Sequence, residues 1–179
     1  MKKKHCCAML LLLLFSTSCF AQVSTAPLKE LTSKELTFTY VSGETNRLAY
    51  FGRGGEVTAS NFLNKNVGFQ VEADYLRTNY ANLRDMEVRG GTVVRLWTRN
   101  SVHPYVHVLI GYAFVKSSHL KPEASFHDAP SVLAGGGLDV SVARAWHVKA
   151  GVDIENDWTT VATRVGRCVM GVSYRFGTR

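Results

Sequence analysis

Alternation with a period of two constrains this chain more than any other feature. It is plainest in the closing stretch, from Val165 to Phe176. There Gly166, Cys168, Met170, Val172, Tyr174 and Phe176 make one apolar face, and Val165, Arg167, Val169, Gly171, Ser173 and Arg175 make a face that is mostly small or basic. Successive side chains of a strand point to opposite faces, whereas a helix would set Arg167, Met170 and Gly171 side by side and mix the two sets. The stretch is a strand with one oily face.

The same period recurs upstream. Glu35 to Ser42 sets Leu36, Phe38 and Tyr40 against Thr37 and Thr39. Gly55 to Leu63 is the least regular and is expected to carry a bulge. Val67 to Tyr75 places Val67, Phe69, Val71, Ala73 and Tyr75 opposite Gly68, Gln70, Glu72 and Asp74. Met86 to Trp97, Pro104 to Val115, Pro130 to Val142 and Trp146 to Glu155 complete the set, with Trp97 alone falling on the polar parity of its strand. Tight turns are expected at Asn64-Lys65-Asn66 and Ala143-Arg144-Ala145. Longer polar connections are expected over Gly43 to Gly54, Lys116 to Ala129 and Asp157 to Thr163. This predicts eight strands with no helix between them and connections that alternate long and short, the pattern of an all-β, antiparallel up-and-down barrel.

The amino terminus has a different character. Lys2, Lys3 and Lys4 precede an apolar run from Cys6 to Phe15, and small or mildly polar residues follow to Ala21. That three-part pattern is a signal peptide, too short to span a membrane as a helix. Cleavage between Ala21 and Gln22 leaves 179 − 21 = 158 residues, one domain by length. Residues 22–34 are polar and aperiodic, a flexible lead-in to a barrel domain over 35–179. The formal charge of +7 includes three signal lysines and no signal acids, so the mature chain carries +7 − 3 = +4. No basic cluster accompanies that balance, which argues against nucleic acid. Cys6, Cys7 and Cys19 leave with the signal, so Cys168 stands without an internal disulfide partner and acts as a small apolar residue.

Alternation does not say which face is inside. Three features do. Glycines recur on the charged face, at Gly68, Gly91, Gly111, Gly135, Gly137, Gly151 and Gly171. Glycine weakens a solvated strand but makes room in a narrow interior. That face also carries both signs of charge, and buried charges must pair. Glu72, Asp74, Glu87 and Asp153 stand against Arg89, Arg95, Lys149, Arg167 and Arg175 as an interior polar network; Asp139 and Glu155 share the parity. Aromatics gather near strand ends, with Trp146, Tyr174 and Phe176 at one membrane interface and Tyr75, Tyr112 and Phe114 at the other.

The tail Gly171-Val172-Ser173-Tyr174-Arg175-Phe176 resembles the C-terminal assembly signal of bacterial outer-membrane barrels, with Gly171, Tyr174 and Phe176 as its marked positions. It departs from that pattern at Val169, where the family has a polar residue, and in the three residues that follow Phe176. With strand count, alternation and signal peptide, the chain resembles the small eight-stranded outer-membrane family typified by OmpA-like and OmpX-like transmembrane domains. The resemblance implies an eight-stranded transmembrane β-barrel in the cell outer membrane, monomeric, surrounded by lipid and lipopolysaccharide and inserted by the barrel-assembly machinery. It implies a structural or surface-interaction role, with outer loops meeting lipopolysaccharide, host or envelope proteins. A small passive pore and a soluble periplasmic lipid-binding barrel are the alternatives.

No catalytic, cofactor or metal site is expected. Lipid A deacylases and palmitoyl transferases share this architecture, so a hydrolase must be weighed. His127, Asp128 and Ser131 are the best local set, and they read as a polar loop, because three residue types without geometry make no triad. His103, His107 and His147 read as members of a polar interior rather than metal ligands. Gly52-Arg53-Gly54-Gly55 and Gly135-Gly136-Gly137 precede no helix, which removes a phosphate loop.

Overall fold

A computed structural model describes residues 33–45, 51–78, 84–97, 101–116, 128–158 and 163–177. Its elements are β1 (Ser33–Thr45), β2 (Phe51–Phe62), β3 (Val67–Thr78), β4 (Arg84–Arg95), β5 (Val102–Lys116), β6 (Ala129–Ser141), β7 (Trp146–Asp157) and β8 (Thr163–Gly177). Each strand pairs antiparallel with its sequence neighbour, and β1 pairs with β8 to close the barrel. In that seam Leu36 lies opposite Tyr174 and Ser42 opposite Cys168. Closure leaves no edge strand to be satisfied by water, as a lipid-embedded sheet requires.

Local chemistry accounts for the two four-residue turns. In the turn over residues 63–66, Asn64 Oδ1 accepts from Asn66 N at 2.8 Å and from Val67 N at 2.7 Å. A short polar side chain thus stands in for a missing backbone acceptor. In the turn over residues 142–145, Val142 N donates to Trp146 O at 3.0 Å and Trp146 N donates to Ala143 O at 3.3 Å. Both turns lie at the end of the barrel where β1 begins and β8 finishes.

The sense of the alternation is polar inward and apolar outward. Phe38, Phe69, Val108, Ile110, Val152 and Met170 are all more than half exposed, while Glu72, Arg89, Asp153 and Arg167 are almost completely buried. A soluble lipid-binding barrel has the reverse sense, so that alternative falls. Water would leave so much apolar surface unburied at roughly 25 cal/mol per Å²; a hydrocarbon surround removes the penalty. The interior also holds apolar layers. Val41, Leu76 and Val169 make one, and Phe62, Val93 and Tyr105 another.

Several boundaries differ from the sequence reading. β1 starts at Ser33, so Ser33 and Lys34 belong to the barrel rather than to a lead-in. β2 starts at Phe51 and carries no bulge, since its register runs unbroken from Glu44 opposite Phe51 to Ser33 opposite Phe62. The glycines that suggested a loop are strand glycines. A Cβ on Gly54 would collide with the Tyr75 carbonyl of β3, so the close approach of the two strands requires its absence. The connection expected over Gly43 to Gly54 therefore shrinks to residues 46–50, and only that between β5 and β6 stays long. Trp97 lies beyond the end of β4 and is 55% exposed, which explains its parity. Residues 1–32, with the expected cleavage at Ala21 and Gln22, lie outside the described residues.

Candidate functional site: the polar interior

Inward positions of all eight strands meet in the lumen, and their charges sort into two clusters. Toward the end opposite the chain termini, Arg89 of β4 and Arg167 of β8 are surrounded by carboxylates. Arg89 Nη2 lies 2.5 Å from Asp74 Oδ2, 2.7 Å from Glu87 Oε2 and 3.2 Å from Glu155 Oε2, and its Nη1 lies 3.3 Å from Glu72 Oε1. Arg167 Nη1 reaches Glu155 Oε2 at 2.7 Å and Asp74 Oδ2 at 2.8 Å, and its Nη2 donates to Glu56 Oε2 at 3.1 Å. Both guanidinium side chains are fully buried. Fork geometry lets each Arg serve several carboxylates at once, which a lysine could not do.

The second cluster sits toward the termini. Arg95 of β4 pairs with Glu35 of β1, lies 3.6 Å from Asp139 of β6, and stacks its guanidinium 3.6 Å above the Phe62 ring. Arg175 Nε donates to Glu35 Oε1 at 2.5 Å, and Lys149 Nζ lies 3.5 Å from Glu35 Oε2. His147 Nδ1 sits 2.9 Å from Asp139 Oδ1, and its ring is tilted against that of His103 with centroids 6.4 Å apart. Glu35 is thus the hub of three cations.

Between the clusters, His107 Nε2 is hydrogen-bonded to Asp153 Oδ1 at 2.9 Å while Gln70 Nε2 lies 3.3 Å from His107 Nδ1. Thr37 Oγ1 donates to Ser173 Oγ at 3.0 Å across the seam. A cavity of about 20 Å³ lies here among Thr37, Thr58, Gln70, His107 and Asp153, enough for about one water.

Of the residues singled out in the sequence, the structure brings Glu72, Asp74, Glu87, Arg89 and Arg167 together in the first cluster and Arg95, Lys149 and Arg175 in the second, with Asp153 apart beside His107. Glu35 and Glu56 complete the clusters and were not singled out, although Glu35 shares the parity of Thr37 and Thr39, and Glu56 that of Thr58 and Ser60. Glycine acts in two ways. A Cβ on Gly135 would strike the Asp153 carboxylate, so this glycine makes room for a charged neighbour, while one on Gly111 would meet both the Val88 carbonyl of β4 at 2.1 Å and Arg89 Cγ at 2.5 Å. At Gly91, Gly137 and Gly171 the obstacle is the backbone of the adjacent strand. Gly171 therefore has a packing reason to be glycine, apart from any signal.

Tyr174 and Phe176 point outward, and their rings lie 4.8 Å apart, with Trp146 at 5.0 Å from Tyr174. Tyr112 and Phe114 pair at 5.3 Å near the other end. His127 lies outside the described residues, and Ser131 is wholly buried in the wall's inner face. The described histidines, His103, His107 and His147, all face the lumen.

No family model and no curated protein matches the sequence. Solved structures do match the fold. Neisserial surface protein A aligns with a TM-score of 0.63 at 12% identity, over 80% of this chain and 96% of that one. The outer membrane protein OprG from Pseudomonas aeruginosa aligns with a TM-score of 0.63 at 10% identity, over 83% and 98%. The outer membrane enzyme PagL aligns with a TM-score of 0.57 at 13% identity, over 77% and 98%. The chain has the fold of the small eight-stranded outer-membrane barrels.

Proposed function

We infer that this chain is an integral outer-membrane barrel with a structural or surface-interaction role, presenting its outer connections to lipopolysaccharide or to proteins of the envelope or host. The observation that carries this reading is the filled lumen. Two ion-paired clusters and two apolar layers occupy the inside of a barrel whose outside is apolar. An interior of this size is packed by side chains, which favours a structural wall over a passive pore. In this reading residues 1–21 are removed at export, and the assembly machinery reads Gly171, Tyr174 and Phe176.

PagL shows that the same architecture can carry an enzyme, but fold alone transfers no chemistry. Hydrolysis of a lipid acyl chain needs a nucleophile and base at the lipid-facing surface. Among the described residues His103, His107 and His147 face the lumen, so none of these three supplies a base at the lipid-facing surface.

The test combines three measurements on protein extracted from outer membranes. Purified barrel in planar bilayers should give no discrete conductance steps, and incubation with lipopolysaccharide should release no fatty acid. Binding of lipopolysaccharide or envelope proteins should weaken when the connection over residues 117–127 is replaced by a short turn. Discrete steps would make it a pore, released acyl chains would make it an enzyme, and unchanged binding would remove the loop's role.

A further inference from the structure

We propose that the lumen holds one divalent cation of the calcium class on the carboxylates of Asp85, Glu87 and Glu155. The charge of the surrounding cluster asks for one. Among the described residues, the ion pairs and carboxylate groups of this cluster set Glu56, Glu72, Asp74, Asp85, Glu87 and Glu155 around Arg89 and Arg167, a formal balance of 2 − 6 = −4. Buried charge of one sign has to be neutralised by a partner.

The arrangement of oxygens shows where. Glu87 turns Oε2 to Arg89 at 2.7 Å, and Glu155 turns Oε2 to Arg167 at 2.7 Å. Their other oxygens, Glu87 Oε1 and Glu155 Oε1, are buried without a hydrogen-bond partner, as is Asp85 Oδ1. Glu87 is 1% exposed and Glu155 is fully buried, so solvent does not satisfy those atoms. One oxygen from each of the three residues lies within 4.8 Å of the other two. Calcium binds oxygen at roughly 2.3–2.6 Å, so two of its ligands are at most about 5.2 Å apart, and three oxygens spaced in this way fit one coordination sphere. Glu56, Glu72 and Asp74 also gather within 4.8 Å. There, however, both oxygens of Glu56 accept, from Thr58 and Arg167, and both oxygens of Glu72 accept, from Gln70 and Arg89, so neither residue has an oxygen left for an ion.

The donor set selects the ion. It is carboxylate only, without the imidazole or thiolate that zinc and copper favour. Three fixed oxygens leave positions for water. Calcium tolerates such an irregular sphere of six to eight ligands, whereas magnesium demands a near-ideal octahedron. Asp85 is the second residue of β4 and only half-buried, and Glu155 is third from the end of β7. The site therefore lies near the barrel mouth away from the chain termini, where an ion can enter. Its oxygens join β4 to β7 across the lumen.

Protons shared between Glu87 and Glu155 would relieve the same repulsion without a metal, and the experiment separates the two. Barrel purified in a nonionic detergent and stripped with EDTA is titrated with calcium chloride at neutral pH by calorimetry, and its thermal unfolding is followed with calcium or with EDTA. One ion per chain should bind, with Kd on the order of 10⁻⁴–10⁻³ M for such an open site, and the unfolding midpoint should rise with calcium. Asp85→Asn and Glu87→Gln should each weaken binding at least about tenfold, the loss of one charged ligand oxygen being worth about 1.4 kcal/mol or more, and should lose the calcium-dependent rise. Glu44→Gln, at an exposed position of β1, should keep both. In EDTA, Asp85→Asn should unfold no earlier than the wild type, because one repelling charge is gone. No heat of binding and no shift in the wild type would assign the neutralisation to protons. Wild-type binding by both Asp85→Asn and Glu87→Gln would place the ion elsewhere. Either result overturns the site.

Discussion

Arg89 and Arg95 lie on the same face of β4 and differ in what their removal leaves behind. Arg89 is shared by Glu72, Asp74, Glu87 and Glu155, all buried, and of the two arginines paired with this cluster Arg167 remains if it goes. Arg89→Met should lower stability by about 3–5 kcal/mol, the usual cost of leaving buried carboxylates without their cation. Arg95→Met removes one of three cations around Glu35, which keeps Arg175 and Lys149. It should cost about 1–3 kcal/mol. Urea unfolding of both variants in one detergent decides this, and an equal loss would contradict the picture of Glu35 as a hub. The glycines allow a comparable test. Gly111→Ala drives a methyl into the backbone of β4 and toward Arg89 Cγ, and should cost about 1–3 kcal/mol. Gly166→Ala meets nothing within 4 Å and should stay within about 0.5 kcal/mol of the wild type. Parity makes the side of each of these residues legible in the sequence. Pairing is another matter, because it runs around the barrel: Glu56 meets Arg167 across 111 residues and Arg175 meets Glu35 across 140. No local pattern encodes contacts of that kind. Asp85 is the second residue of β4, ahead of the alternation that starts plainly at Met86, so parity alone does not place it beside Glu87 and Glu155.

At the scale of the element, contrast decides what can be read. β3 alternates large apolar with polar residues and its start at Val67 is legible, whereas β2 alternates Val57 and Ala59 with Thr58 and Ser60, a weak contrast on top of three glycines. Those glycines serve close strand approach, yet in a sequence they look like punctuation. The closing strand raises a question that parity cannot answer, namely whether its aromatics act in the folded barrel or during its assembly. Trp146, Tyr174 and Phe176 form one outward cluster, with Phe176 more than half exposed at its edge. Phe176→Ala therefore removes few contacts from the folded protein. If Phe176 belongs to an assembly signal, the variant should insert poorly in cells and refold in detergent with nearly unchanged stability. Equal loss in quantitative membrane blots and in detergent unfolding would make Phe176 a packing residue only.

For the whole molecule, the open question is which end faces the cell exterior. The four-residue turns at residues 63–66 and 142–145 and the six-residue connection over 96–101 share one end with Ser33 and Gly177, while the longest connection, over residues 117–128, leaves from the other with those over 46–50, 79–83 and 158–162. Outer-membrane barrels keep short turns in the periplasm and longer loops outside. The acidic cluster, with its balance of −4, occupies the half of the lumen under those loops. The half near the termini sets Arg95, Lys149 and Arg175 against Glu35 and Asp139, a balance of 3 − 2 = +1. The interior is therefore polarised along its axis, and its acidic mouth should open to the outside, where divalent ions arrive. Labelling settles the direction. Cys168 lies on the lipid-facing surface, so Cys168→Ala supplies the background. In that background Ser118→Cys should react with an impermeant maleimide on whole cells, and Lys65→Cys, in the turn over residues 63–66, should react only after the outer membrane is opened. The reverse pattern would turn the barrel over, set its acidic mouth in the periplasm, and take the loop over residues 117–127 away from any surface partner.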